Sequence, residues 1–158
     1  MVPIVKRMRE INFLLAAHRL VKEARKVYEE ALQISRALAQ KNAESYLPDV
    51  AETLNRLGVL DRDENRPGEA QKTLKEALMI RREFAQKNPE VYLPSVAETF
   101  GNLAVLDRSQ SRLEDARLAS EEALTIYQDF AEQDSEQFSP DVTRVKKLLE
   151  QLQNTPRP

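Results

Sequence analysis

Side chains able to do acid–base or covalent chemistry are few in this chain. Histidine occurs once, at His18, and cysteine and tryptophan are absent from the 158 residues. The lack of cysteine excludes disulfides, zinc knuckles, iron–sulfur clusters and thiol catalysis together. A lone imidazole leaves no nitrogen-based metal site, and His18 sits where the chain is read as turning, as a solvated side chain rather than a general base. Adjacent carboxylates such as Glu29-Glu30 and Glu121-Glu122 read as solvated helix faces. With only three glycines, no phosphate-cradling loop is available, and no P-loop, dinucleotide or nucleophile-elbow pattern occurs. The reading is therefore non-enzymatic, with no cofactor and no metal.

What remains is binding by charge and apolar surface, which depends on the elements that carry those side chains. Charged residues make up 32% of the chain and hydrophobics 41%, with a net charge of −2. That balance gives no strong general pull toward nucleic acid or membrane. Few glycines and few β-branched residues argue against a sandwich or barrel. Lys6, Arg7 and Arg9 before Ile11–Ala17 imitate a signal peptide, but Glu10 and Asn12 interrupt the pattern. No run reaches the ~18 apolar residues of a membrane span. The expected location is cytoplasmic.

The chain repeats itself. Tyr46-Leu47-Pro48-Asp49-Val50-Ala51-Glu52-Thr53 recurs as Tyr92-Leu93-Pro94-Ser95-Val96-Ala97-Glu98-Thr99, a displacement of 46. The same shift carries Ala31-Leu32-Gln33-Ile34 to Ala77-Leu78-Met79-Ile80 and on to Ala123-Leu124-Thr125-Ile126. Aligned without gaps, 49–94 and 95–140 share 19 of 46 positions. Each unit reads as two helices. The first is expected to open after a proline, with Asp49 or Ser95 as N-cap and Glu52 or Glu98 completing a capping box. A break at Asn65-Arg66-Pro67-Gly68, or Ser111-Arg112-Leu113-Glu114, precedes the second helix, with Asn65 or Ser111 as its cap. That helix stops near Asn88-Pro89. Small residues at Gly58, Ala70 and Ala77, and again at Ala104, Ala116 and Ala123, allow close helix approach while Leu57 and Leu103 fill the grooves.

Leu54-x-x-Leu57-Gly58 followed by Ala70-x-x-x-Leu74-x-x-Ala77 resembles the tetratricopeptide repeat, and Phe100-x-x-Leu103-Ala104 with Ala116-x-x-x-Ser120-x-x-Ala123 is a second copy. The stretch Val96–Leu106 looks most like the kinesin-light-chain subtype, whose repeats are long. The resemblance spans about residues 4–153. It implies an all-α right-handed solenoid of three helical hairpins (about 3–48, 49–94 and 95–140), a C-terminal capping helix over 141–153 and a disordered tail over 154–158. That makes about seven helices. Three places depart from the pattern. Asp61 and Asp107 stand where the family has a bulky residue, so either Leu60 and Leu106 take over the packing or the aspartates pair with a basic neighbour. Ser120 replaces a large side chain, which implies a looser or partly exposed helix. The first unit turns at His18-Arg19, or else runs as one helix from about Ile4 to Lys41.

In similar proteins the first helix of each unit lines a concave groove. On the second unit that stripe is Glu52, Asn55, Arg56, Val59 and Arg62, and on the third Glu98, Gly101, Asn102, Val105 and Arg108. The first unit supplies Lys6, Arg9, Glu10, Phe13 and Ala16, and the capping helix Arg144, Lys147, Leu148 and Gln151. Seven of these are basic and three acidic, so the stripe carries +4 in a chain of −2. The expected function is a protein–protein interaction module or scaffold. It would hold an acidic peptide with an apolar anchor on Arg9, Phe13, Asn55, Arg56, Val59, Arg62, Asn102, Val105, Arg108 and Lys147. Kinesin-light-chain repeats bind acidic, tryptophan-containing peptides, which the resemblance carries over as an expectation. The alternative is a self-associating repeat protein, a homo-oligomer formed through its end or groove surfaces. Nucleic acid and membrane are not expected partners.

Overall fold

A computed structural model describes the backbone of residues 2–154 and the side chains from Leu14 onward, Ala16 excepted. It holds six α-helices among those residues: α1 (Val2–Ala39), α2 (Ala43–Asp63), α3 (Pro67–Lys87), α4 (Pro89–Ser109), α5 (Leu113–Gln133) and α6 (Ser135–Gln153). Each packs against the next in chain order, and α2 also touches α4. The helices α2, α4 and α6 begin 46 residues apart, as do α3 and α5. Neighbour-on-neighbour packing at a fixed interval is the signature of a solenoid.

The count is six rather than seven because α1 does not turn at His18-Arg19. From Ile4 to Ala39 the chain has neither proline nor glycine and is dense in Ala, Leu, Lys, Arg and Glu, so nothing opposes continuing the hydrogen-bond ladder. Of the tail expected over 154–158, Asn154 is the C-cap of α6, and residues 155–158 lie outside the described residues.

The helix starts also differ from expectation. Pro48, Pro94 and Pro140 do not precede the first helices but lie one and a half turns inside them. A proline there leaves unpaired the carbonyl four residues earlier, on Glu44, Glu90 or Glu136. All three are exposed first-turn residues whose carbonyls water can reach. The caps therefore sit earlier in the chain. Asn42 accepts a hydrogen bond from the Ser45 N–H at 3.1 Å, and Asp134 accepts one from the Gln137 N–H at 3.0 Å. Asp49 and Ser95 cap nothing; Glu52 and Glu98 pair with arginines instead, Glu52 with Arg56 and Glu98 with Arg81.

The turns within the hairpins are Schellman motifs. Asn65 and Ser111, which the sequence suggested as N-caps, adopt left-handed φ of 57° and 58° just beyond α2 and α4. The Arg66 N–H donates to the Asp61 carbonyl at 2.8 Å, and the Arg112 N–H to that of Asp107 at 2.9 Å, which closes each helix end. The N-cap positions of α3 and α5 fall on Arg66 and Arg112, with no side-chain cap.

Four apolar clusters run along the array. Val50, Ala51 and Leu54 of α2 meet Ala77, Ile80 and Phe84 of α3, with Leu32 and Ala39 of α1 packed alongside. Ala70 and Leu74 meet Leu103 and Leu106. Phe100, Ala123, Tyr127, Phe138 and Val145 form the largest cluster, and Ala104, Ala116, Leu148 and Leu152 the last. Gly58 allows α2 and α3 to approach closely, since a Cβ there would lie 2.6 Å from Leu74 Cγ. Ser120, expected to be loose, is fully buried, and its hydroxyl donates to the Ala116 carbonyl at 2.7 Å. Folding its polar group back onto its own helix removes the penalty of burying it.

Candidate functional site

The first helices of successive hairpins, α2, α4 and α6, share one side of the array and enclose a concavity of about 370 Å³. Arg62 enters it from α2, Gly101, Asn102, Val105 and Arg108 from α4, and Arg144, Val145, Lys147, Leu148 and Gln151 from α6. Helical spacing brings them together: 101, 105 and 108, and 144, 148 and 151, recur at three or four residues and so share a face. Four lining residues are cationic and none is a carboxylate. Val105 is half-buried and Leu148 and Val145 are buried, which gives the concavity an apolar floor under a charged rim.

The cations differ in how far they are already engaged. Arg62 donates to Asp63 at 2.8 Å and Arg144 to Asp141 at 2.7 Å. Arg108 donates to the amide oxygen of Gln151, tying α4 to α6 across the concavity. Neither Arg108 nor Lys147 has a carboxylate partner among the described residues, and both are exposed.

Of the residues named from sequence, Arg62, Asn102, Val105, Arg108 and Lys147 come together here. Asn55 does not serve as expected: it is only 2% exposed, and its carbonyl oxygen accepts from Asn102 Nδ2 at 3.1 Å. Buried between helices, it holds Asn102 in place rather than meeting a ligand. Arg56 and Val59 are not part of the concavity lining. Arg56 pairs with Glu52 at 2.7 Å, and that carboxylate holds its guanidinium pKa above the usual value. Arg9 and Phe13 fall on α1, but their side chains, like those of Lys6, Glu10 and Ala16, are not among those described.

Sequence reasoning missed Arg81. It is 4% exposed, and its guanidinium donates to the Ser95 carbonyl at 2.8 Å, to the Thr99 hydroxyl at 2.8 Å and to Glu98 Oε2 at 3.0 Å, and also pairs with Glu52. It thus clamps Glu52 and Glu98, two of the three carboxylates counted in the basic stripe, and draws them away from the concavity. No pattern announces this, since the equivalent positions at the 46-residue interval are Ser35 and Tyr127.

The Asp61 and Asp107 question resolves into pairing. Arg66 bonds the Asp61 carboxylate at 2.8 Å, Arg112 that of Asp107 at 2.9 Å, and Arg25 of α1 also bonds Asp61 at 2.8 Å. Burial pushes the Asp61 carboxyl up from its ordinary value, against the pull of Arg25. The recurrence of both Asp61/Asp107 and Arg66/Arg112 at one interval was the available signal.

Among the described residues no group of His, Asp and Glu could hold a metal ion, and no helix is long and apolar enough to cross a membrane. A search of curated proteins finds no match. The tetratricopeptide repeat family model matches residues 96–129, which cover most of α4 and α5. That match is set in an array whose other helices recur at the same interval on either side, so the chain is similar to tetratricopeptide-repeat proteins over α4 and α5 and repeats that arrangement along its length.

Proposed function

We propose that this protein is a non-catalytic adaptor that binds an acidic peptide segment, bearing a bulky apolar anchor, in the concavity between α2, α4 and α6. Tetratricopeptide repeats are in general protein–protein interaction modules. The observation that carries the finer reading is the lining itself: Arg62, Arg108, Arg144 and Lys147 around Val105, Val145 and Leu148, with no carboxylate. A peptide carboxylate would exchange water for charge-assisted hydrogen bonds to these donors, while the anchor covers the apolar floor. Asn102, held by Asn55, is positioned to bond the peptide backbone.

The test compares wild type with an Arg62→Glu/Arg108→Glu/Lys147→Glu triple variant and an Arg56→Glu control, using fluorescence anisotropy against labelled acidic and basic peptides that each contain one tryptophan. The acidic peptide is expected to bind wild type and Arg56→Glu alike and the triple variant at least about tenfold more weakly, a difference of roughly 1.4 kcal/mol. Equal binding by all three proteins, or a preference for the basic peptide, sinks the reading.

A further inference from the structure

The outer face of α1 carries a row of exposed apolar side chains. Leu20, Val27 and Ile34 are spaced seven apart and are 65%, 61% and 61% exposed. Ala17, Ala24, Ala31 and Leu38 fall between and beyond them, which completes a heptad stripe with small residues at one core position and large ones at the other. Exposed apolar residues in such a sustained row are unlike the single ones that dot any surface.

The repeat shows what that face is built to meet. A shift of 46 carries Ala24, Ala31, Ile34 and Leu38 to Ala70, Ala77, Ile80 and Phe84 of α3. Those four are buried, and Ala77, Ile80 and Phe84 pack directly against Val50, Ala51 and Leu54 of the preceding antiparallel helix α2. In the first unit α1 runs straight on, so no preceding helix covers the equivalent face among the described residues.

The stripe is complementary to itself when reversed. In one antiparallel register Ala17 faces Ile34 of a second copy, Leu20 faces Ala31 and Ala24 faces Val27, so each small residue meets a large one. Along the edge away from α2 the charges run Arg19, Glu23, Lys26, Glu30. Read backward they present the opposite sign at each step, Arg19 toward Glu30 and Glu23 toward Lys26, offset from the core register by two residues, an axial shift of roughly 3 Å. In the single chain these residues pair only along their own exposed helix, Arg19 with Glu23 at 2.9 Å and Lys26 with Glu30 at 3.8 Å. Such pairs are weak in water and free to exchange partners.

We propose that α1 docks antiparallel on α1 of a second copy through Leu20, Val27 and Ile34, each copy covering the face that no described helix covers in the other. The two-fold places residue 26 next to its mate and residue 40 far from it. At a rise of 1.5 Å per residue, the two copies of residue 40 stand roughly 40 Å apart.

The experiment uses the full chain, measured by light scattering across a concentration series, beside a Leu20→Lys/Val27→Lys/Ile34→Lys variant. Spin labels are placed singly at Lys26→Cys and Gln40→Cys, since the chain has no other cysteine. Wild type is expected to double its mass with concentration, and the triple variant to stay monomeric with unchanged helical circular dichroism. The label at 26 should report a short distance between copies and the label at 40 a long one. A wild type that stays monomeric would mean that another segment or partner covers the stripe and would overturn the proposal. So would a dimer that survives the triple substitution, or two short label distances, which mark parallel pairing. The variant leaves the concavity of α2, α4 and α6 untouched, so peptide binding reports separately.

Discussion

Arg81 shows how one residue changes the reading of a surface. Counted from sequence, the stripe along the first helices holds Glu52 and Glu98 among its cations; in the structure both are bound by a guanidinium from behind. The two carboxylates are themselves less than half exposed, whereas Arg81 is buried, so the pair is only partly desolvated. Replacing Arg81 with Leu removes its bonds to the Ser95 carbonyl, the Thr99 hydroxyl and Glu98 and leaves Glu52 with Arg56 alone, and is expected to lower stability by about 1–3 kcal/mol in urea unfolding. The same variant should weaken acidic-peptide binding although residue 81 does not line the concavity. Asp61 gives a pH signature. Burial raises its folded-state pKa, so the native chain holds a proton there that the unfolded chain releases first. Its contribution is thus fully present below the ordinary carboxyl range near pH 3.8 and falls as pH rises through the raised value. The melting temperature of wild type minus that of Asp61→Asn should therefore fall as pH rises above the ordinary carboxyl range; a rise would show that Arg25 and Arg66 dominate instead.

Within the elements, Gly58 in the middle of α2 and Gly101 in the middle of α4 play opposite roles. Gly58 faces Leu74 with no room for a Cβ, whereas Gly101 opens on the concavity with nothing within 4 Å. Gly101→Ala is expected to stabilise the fold by about 0.5–1 kcal/mol through helix propensity alone. Gly58→Val should destabilise it by about 1–3 kcal/mol, because overpacking forces α2 from α3. Thermal melts of the two variants test this, and movement in the same direction would refute the close-approach account. The caps are placed where the prolines are not: Asn42→Ala and Asp134→Ala should each cost about 1 kcal/mol, while Ser95→Ala, at a position that caps nothing, should change stability little.

For the whole molecule, stability is shared between neighbours and therefore uneven along the chain. Each helix touches those before and after it, and the four clusters lie between Leu32 of α1 and Leu152 of α6. The interior helices α3 and α4, covered on both sides, should show the slowest amide exchange. The first half of α1, beyond the reach of α2, should exchange fastest at low protein concentration. Protection there is expected to rise with concentration as copies pair. Uniform exchange across all six helices would argue against nearest-neighbour stabilisation.

The 46-residue recurrence and the helical spacing of Leu54, Leu57, Ala70 and Ala77 were legible before any coordinates, because they depend on periodicity, which is a local property. The grouping of Arg62, Asn102, Val105, Arg108 and Lys147 followed from the same periodicity carried across units. Other features required the tertiary structure. Proline marks a restricted φ and a missing donor, but whether it starts a helix or sits inside its first turns depends on what water can reach. That Asn55 is buried, that Ser120 is packed and that Arg81 reaches three helices are facts about neighbours distant in sequence. The straightness of α1 is the clearest case, since a helix folds back only when packing on its neighbour outweighs breaking its own ladder, and that balance is set between elements rather than along the chain.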